Sequence, residues 1–409
     1  MINVSLLKLN NILFAIENIK ELVQFDKVVI CENQDLFLKI RNVMNLVIKN
    51  NEISYNNIIE NINKYSDMFQ FQEIIEIIID DSKIIENVYE YQDKSFNSLF
   101  QFQKIQNFII NSLNFQDNIN QNFGNIDFYQ VSNIEINESN FTNNFLDNGY
   151  GAALYIYQGN QIIINNCNFE QNKAQIGGAV YAEIIFNFLL KNSKFDKNEE
   201  NTSGGSIIIS KSQKIELKNL IIKQSYAYSG GRVYMIQSNE IELNEIYFSN
   251  NRAFSQGGCL YLHNIQDIFL AKVIFSDNYS DLTQGGYLIQ DSQNIYFYGC
   301  LFQNNTAFLR SGAGQGYNLI NILFEKCDFK KNKAISYSSG AQQFNNPKIL
   351  QILDCLYQEN ETPLEGSSLN IKQSLDEILI LGTVFKGGYN LKLGGFICLG
   401  LLENSFDWK

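Results

Sequence analysis

The amino-acid sequence predicts an all-β chain folded as a right-handed, single-stranded parallel β-helix, a solenoid of about 13–14 coils with about 27 residues in each. Three observations support this fold class. A large apolar anchor residue recurs along the chain, the residues before each anchor alternate in polarity, and an asparagine follows most anchors by three positions. No helical period of about 3.6 residues accompanies this repeat.

The anchor residue defines the repeat. From Phe115 onward, successive anchors are 26 to 28 residues apart. Repetition at a nearly constant period indicates stacked units, none of which can bury its apolar face alone. The anchors are Ile53, Ile84, Phe115, Phe141, Phe169, Phe195, Ile222, Phe248, Phe275, Phe302, Phe329, Tyr357 and Phe385.

The residues before each anchor predict the strands. Apolar side chains lie seven and five positions before Phe169 and before Phe302, which is the two-residue period of a strand. A repeat of about 27 residues is too long for one hairpin and fits a coil of three short strands joined by corners. Each strand then pairs in parallel with its equivalents in the coils above and below, about 4.8 Å away. We therefore expect the anchors to be buried.

Asparagine occupies the position three residues after eleven of the thirteen anchors. A turn-forming amide that stacks on its copies can hydrogen-bond along the stack, so these residues predict a structural asparagine ladder at one corner. Ser225 and Gly388 replace asparagine in the other two repeats. The ladder residues are Asn56, Asn87, Asn118, Asn144, Asn172, Asn198, Asn251, Asn278, Asn305, Asn332 and Asn360.

Pairs of glycines lie between the repeats, for example Gly177-Gly178, Gly257-Gly258 and Gly285-Gly286. Glycine reaches positive φ without steric cost, so we expect these pairs to form sharp corners. Residues 1–26 are predicted as leading coils or a cap, residues 27–390 as the β-helix, and residues 391–409 as a final strand and tail.

Composition narrows the classes of function. The 31 basic and 43 acidic residues give a net charge of -12, which argues against a nucleic-acid partner. The single histidine excludes a site built from several histidines, and no phosphate loop, nucleophile elbow or zinc signature is present. We expect no cofactor and no bound metal.

The phrase F-x-x-N followed by G-G-small-apolar resembles the repeat of the chlamydial polymorphic outer-membrane proteins and of pectin-lyase-like β-helix proteins in protists. The resemblance covers roughly residues 100 to 400. It implies a surface or adhesion role, and an extracellular or cell-surface location. Residues 1–5 do not have the pattern of a signal peptide. We therefore expect membrane association only if a larger parent chain supplies an anchor.

One pair of carboxylates is a candidate for catalysis. Glu216 and Glu242 are predicted on the outer face of neighbouring coils, at a separation near that of a retaining glycosidase pair. Lys214 and Lys218 flank the first of them, and no further acid continues the column. A solvated charged face is the favoured interpretation, and catalysis is the alternative.

The cysteines predict free thiols, because seven is an odd number and their density is low. Four of them, Cys167, Cys300, Cys327 and Cys355, lie two positions before an anchor in an inward column. We expect buried, reduced thiols there, with a bridge between adjacent coils or a reactive thiol as the alternatives. His263 is expected at the end of a strand, without a functional role.

An aromatic outer face is the candidate binding surface. Tyr181, Ile208, Tyr234, Tyr261 and Ile289 each stand third after a glycine pair, and we assign this column outward because Arg232, two positions before Tyr234, is not expected in the core. In the neighbouring sheet the outward candidates include Phe269, Tyr296 and Tyr298. Such stripes mark binding of a protein partner or stacking of a neutral glycan.

These observations favour a non-catalytic scaffold or adhesion-type module that binds a protein or a neutral glycan through this face. The alternative is a pectin-lyase-like polysaccharide lyase or glycoside hydrolase.

Overall fold

A computed structural model describes residues 12–26, 29–31, 36–54, 57–60, 69–91, 98–121, 124–337, 339–373, 376–390, 395–400 and 407–408. The chain divides into two compact units, residues 1–201 and residues 202–409. The described residues form strands, bends and turns and no helix, so none of them forms a helix with the length and hydrophobicity needed to span a bilayer. The fold is the predicted right-handed parallel β-helix, with about 13 turns.

The strands of the first unit, with Glu199–Ser203 at its end, are Ile12–Glu17, Leu22–Asp26, Val29–Cys31, Leu36–Arg41, Asn45–Lys49, Glu52–Ser54, Asn57–Glu60, Phe69–Gln72, Glu76–Asp80, Lys83–Ile85, Val88–Tyr91, Phe100–Gln103, Asn107–Asn111, Asn114–Gln116, Ile119–Asn120, Ile126–Tyr129, Asn133–Asn137, Asn140–Thr142, Phe145–Leu146, Leu154–Asn165, Asn168–Glu170, Lys173–Ile176 and Val180–Asp196.

The strands of the second unit are Ile207–Ser210, Gln213–Lys223, Tyr226–Ala227, Val233–Ile236, Asn239–Ser249, Arg252–Ala253, Leu260–His263, Gln266–Ala271, Ile274–Ser276, Tyr279–Ser280, Tyr287–Gln290, Gln293–Tyr298, Leu301–Gln303, Thr306–Ala307, Gly314–Tyr317, Ile320–Glu325, Asp328–Lys330, Lys333–Ala334, Gln342–Asn345, Ile349–Leu353, Leu356–Gln358, Leu369–Lys372, Glu377–Leu381, Val384–Lys386, Ile397–Leu399 and Asp407–Trp408.

One turn of the second unit shows how the repeat folds. Its four strands are Tyr287–Gln290, Gln293–Tyr298, Leu301–Gln303 and Thr306–Ala307. Each of the four pairs in parallel with the equivalent strand of the next turn. The sequence predicted three strands, and the structure adds the two-residue fourth strand, which belongs to a separate sheet. We refer below to the first, second, third and fourth strand of a turn.

Eleven of the thirteen anchors are buried in the core, as predicted, whereas Ile53 and Phe385 are partly exposed. Phe302 is fully buried on the third strand and pairs in register with Phe275 and Phe329. Its ring stacks at 4.7 Å on each of these two rings. In the first unit, Phe169 stacks in the same way on Phe141 and Phe195. Parallel pairing in register places each aromatic ring directly on its copies in adjacent turns.

The predicted asparagine ladder is also present. Asn305 is fully buried and its Nδ2 donates to Oδ1 of Asn332 at 3.0 Å and to the carbonyl of Phe275 at 2.8 Å. Its Oδ1 accepts from Nδ2 of Asn278 at 2.9 Å. Buried ladder residues in the two units are Asn87, Asn118, Asn144, Asn172, Asn198, Asn251, Asn278, Asn305, Asn332 and Asn360. Asn56 lies outside the described residues.

The corners are made mainly by residues other than glycine. In the turn described above, Asp291, Asn294 and Asn304 have φ of 48°, 55° and 54°, in the left-handed region that aspartate and asparagine tolerate. The prediction that the glycine pairs form corners through positive φ is wrong for Gly285 and Gly286. A Cβ on either residue would lie 2.4 or 2.2 Å from a carbonyl oxygen of the next turn. These glycines are needed for close backbone approach.

The predicted division at residues 26 and 390 stays a prediction. Within residues 1–26, strand Ile12–Glu17 pairs in parallel with Leu36–Arg41.

Candidate functional site

The two candidate catalytic carboxylates lie side by side on an outer sheet face. Glu216 pairs in register with Glu242 on the second strands of adjacent turns, and the next residue in this column is Phe269. Glu242 is exposed and Glu216 is partly exposed. Neighbouring positions in a parallel ladder point the same way, so the carboxylates do not face each other across a substrate cleft.

The prediction of an outward tyrosine column is partly correct in the second unit. Tyr234 pairs in register with Ile208 and with Tyr261, and both tyrosines are partly exposed, whereas Ile208 is buried. The assignment of Ile289 to this column is wrong. Ile289 pairs with Leu262 inside the coil, and Leu288 stands beside Tyr261.

A polar group lies at the edge of this column. The Tyr234 and Tyr261 rings stack at 4.8 Å with an interplanar angle of 20°. The hydroxyl of Tyr261 donates to Oε1 of Gln290 at 2.6 Å, and Nε2 of His263 lies 3.4 Å from Oδ2 of Asp291. Burial, with the neighbouring Tyr234 and Asp291, raises the pKa of Tyr261 to about 12.

The tyrosine column was assigned outward because Arg232 was not expected in the core. That expectation is wrong, since Arg232 is fully buried. It precedes the strand Val233–Ile236, so the alternation of that strand does not extend to it. Its Nε donates to the carbonyl of Ser225 at 2.8 Å, in the turn where serine replaces the ladder asparagine. The shorter serine side chain fits a core position next to a long, buried arginine.

Tyr181 belongs to a cluster of tyrosines in the first unit. Its ring centroid lies 4.9 Å from Tyr150 and 5.5 Å from Tyr155, and Tyr155 lies 5.6 Å from Tyr129. Tyr155 is only 6% exposed, and burial, together with Tyr129, raises its pKa well above the usual value. These side chains cover one another, so Tyr155 is part of the packing under Tyr181.

Phe269, Tyr296 and Tyr298 lie on the outer face of the second strands, as predicted, and all three are partly exposed. Phe269 and Tyr296 are 5.3 Å apart with an interplanar angle of 41°, and Tyr296 lies 6.2 Å from Tyr298. The Tyr296 hydroxyl donates to Oε2 of Glu325 at 2.5 Å. Burial and this hydrogen bond raise the pKa of Tyr296 to about 12.

The cysteines two positions before the anchors lie in the interior of the coil. Cys167, Cys300, Cys327 and Cys355 are buried and free, which confirms the predicted inward column of reduced thiols. The Cys355 thiol donates to the Leu353 carbonyl at 3.2 Å and accepts from the Cys327 amide at 3.4 Å. The serines of the same column make equivalent contacts, so thiol and hydroxyl both cap this corner. His263 ends a strand, as predicted.

A more exposed apolar surface was missed by the sequence analysis. We call it the outer ridge and define it as Tyr228, Phe254, Phe308, Ile335 and Tyr337, which are between 40% and 56% exposed. The first four each follow the small residue of a fourth strand, at the same place on successive turns. Asp281 occupies this place on the middle turn and pairs with Arg252 at 2.8 Å. In the sequence, the pattern that could have predicted this surface is an apolar residue six positions after an anchor.

A comparison with known protein families agrees with this fold. A family model described as "Right handed beta helix region" matches residues 178–349. The chain is similar to a solved structure titled "Crystal Structure of the periplasmic alginate epimerase AlgG", with 11% identity over 95% of this chain and 77% of that chain and a TM-score of 0.36. No curated protein matches the chain. The fold fits a pectin-lyase-like β-helix, and the resemblance to polymorphic outer-membrane repeats stays a prediction.

Proposed function

We propose that this protein is a non-catalytic binding module that binds a protein partner through the outer ridge of the second unit. The observation that carries the proposal is the exposure of the five large apolar side chains of the ridge, on turns whose anchors fill the core. The ridge extends over five turns, or about 19 Å at the strand spacing of about 4.8 Å. An exposed apolar surface that recurs over several turns is typical of protein interfaces, and this one is interrupted at Asp281.

The geometry of the aromatic rings favours a protein over a neutral glycan. Tyr228 and Phe254 stack on each other at 5.0 Å and 22°, and Tyr234 and Tyr261 do the same at 4.8 Å. A stacked ring covers its neighbour's face and presents its edge to solvent. Sugars stack on ring faces, whereas apolar side chains of a protein can pack against ring edges.

The alternative function, a polysaccharide lyase or glycoside hydrolase, has less support. Glu216 and Glu242 point the same way from adjacent turns, and the aromatic Phe269 follows them in the column. A general acid and a nucleophile act from two sides of the scissile bond. Among the described residues, no group of three or more histidine, cysteine, aspartate or glutamate side chains could hold a metal ion.

Site-specific photo-crosslinking tests the proposal. A photoreactive phenylalanine analogue replaces Phe308 on the ridge, and the matched control carries it at Tyr261 on the first strand. Both full-length chains are expressed in cells of the source organism and the crosslinked products are identified by mass spectrometry. We expect a discrete protein crosslinked from position 308 and not from position 261, and its loss when Phe254→Ser is added.

Two outcomes would replace the proposal. Binding to a glycan array that is lost in a Tyr234→Ser, Tyr261→Ser variant would move the site to the tyrosine column. Release of reducing or unsaturated sugars from any polysaccharide, lost on Glu242→Gln, would make the protein an enzyme.

A further inference from the structure

A second surface of the second unit has different chemistry from the outer ridge. Phe269 and Tyr296 form the aromatic part of a shallow depression on the outer face of the second strands. Their rings are tilted by 41° at 5.3 Å, so neither ring fully covers the face of the other. This arrangement leaves ring faces open to a ligand, unlike the stacked rings of Tyr228 and Phe254 on the ridge.

Negative charge surrounds these two rings. Glu240, Glu242 and Asp267 line the same depression, and all three side chains are exposed. No basic side chain lines it. Within the described part of the chain these three carboxylates form no ion pair, and Asp267 accepts one neutral hydrogen bond, from Nδ2 of Asn294 at 2.7 Å.

The same aromatic row already holds a cation two residues away. Nζ of Lys326 lies 5.2 Å from the centroid of the Tyr298 ring, 3.5 Å from the hydroxyl oxygen of that ring and 3.4 Å from Oε1 of Glu325. An ammonium group beside an aromatic ring and a carboxylate gains both a cation–π and an ionic contact. Phe269 and Tyr296 provide the rings, and the adjacent carboxylates the charge, for a second contact of this type.

We propose that this depression binds a lysine or arginine side chain from a basic segment of a protein partner. The charge of the surface selects a cation, and the open ring faces select one that can be partly desolvated, as ammonium and guanidinium groups are at such sites. Glu242, Phe269 and Tyr296 stand in one column on three successive turns, so the surface suits an extended segment.

The inference goes beyond the proposed function, because it adds a partner chemistry and a separate surface. It does not depend on the outer ridge. The crosslinking test involves no basic peptide, and the test below involves no ridge residue, so either proposal can fail alone.

Fluorescence anisotropy with a labelled hexalysine peptide tests the inference on the full-length chain. The first variant is Glu240→Gln, Glu242→Gln, Asp267→Asn. The matched control is Glu135→Gln, Glu138→Gln, Asp147→Asn, which changes the same residue types at exposed positions of the first unit and raises the net charge equally. We expect the first variant to raise the Kd about tenfold, and the control to change it less than about twofold.

Two further measurements separate recognition from general attraction. The same peptide with every lysine acetylated keeps its length but loses its charge, and we expect no measurable binding. Phe269→Leu keeps the apolar contact but removes the ring, and we expect the Kd to rise about threefold. Equal weakening by the two triple variants, or unchanged binding of the acetylated peptide, would overturn the inference.

Discussion

Replacing Phe302 by alanine should strongly destabilise the second unit, because this ring is fully buried and stacked on both sides. A buried Phe→Ala change costs about 3–5 kcal/mol through lost transfer energy and the cavity that remains. Each ring pair adds about 0.5–1.5 kcal/mol beyond burial, so we expect a loss in the upper half of that range, about 4–5 kcal/mol.

Phe308 provides the matched control, since it is the same residue type in the same turn but is 43% exposed on the outer ridge. Phe308→Ala should cost less than about 1 kcal/mol. Urea unfolding followed by far-UV circular dichroism gives both values, provided that the dependence on urea concentration is the same for both variants. If Phe302→Ala costs less than about 1 kcal/mol, or no more than Phe308→Ala, the inward assignment of the anchors is wrong.

Three further experiments test the interior and the tyrosine column. Asn305→Ala should lower the free energy of unfolding by about 2–4 kcal/mol, because buried amides lose their hydrogen-bond partners. The control Asn304→Gly should cost less than about 0.5 kcal/mol in the same urea assay, because glycine suits the positive φ at that position. The buried thiols should resist a thiol-specific reagent at pH 8 and react in guanidinium, because the folded chain covers them and burial raises the pKa of Cys167 to about 11; rapid modification of the folded chain would contradict this. Tyr261 should ionise near its folded pKa of about 12 and not near 10, so its contribution to stability is present below pH 10 and lost as the pH rises to 12. An ultraviolet titration in which Tyr261→Phe removes absorbance change below pH 11 would show that its pKa is not raised.

The core of this fold could be predicted from the sequence because each buried column repeats in every turn. Phe302 and Asn305 occupy fixed distances within their turn, and their copies obey the same steric limits. The surface could not be predicted in the same way. The outer ridge is interrupted by Asp281, and solvent imposes no single residue type on an exposed column.

Two sequence predictions were wrong because the relevant residues are counted from positions outside the regular strands. Arg232 stands before its strand begins, so the period of two does not apply to it. Ile289 was misplaced because its position was counted from Gly285-Gly286. This glycine pair is shifted by one residue relative to the pair in the preceding turn, as the hydrogen bond from the amide of Cys259 to the carbonyl of Gly286 shows.

That shift has a consequence for how the chain tolerates changes in length. From the first strand to the anchor, Val233 to Phe248, Leu260 to Phe275 and Gln342 to Tyr357 each span the same interval. The loop from the fourth strand to the next first strand instead varies, with five residues between Ala227 and Val233, six between Ala253 and Leu260, and seven between Ala334 and Gln342.

In these turns, length changes of single residues lie in one seam, where they leave the stacked rings and the asparagine ladder in register. The turn from Leu369 to Phe385 differs, because it has one residue more between its first strand and its anchor. The outer ridge begins in that seam, immediately after the fourth strand. Its side chains can accordingly diverge in size, charge and reach while the interior stays unchanged, so a lineage of such chains could acquire new partners without refolding.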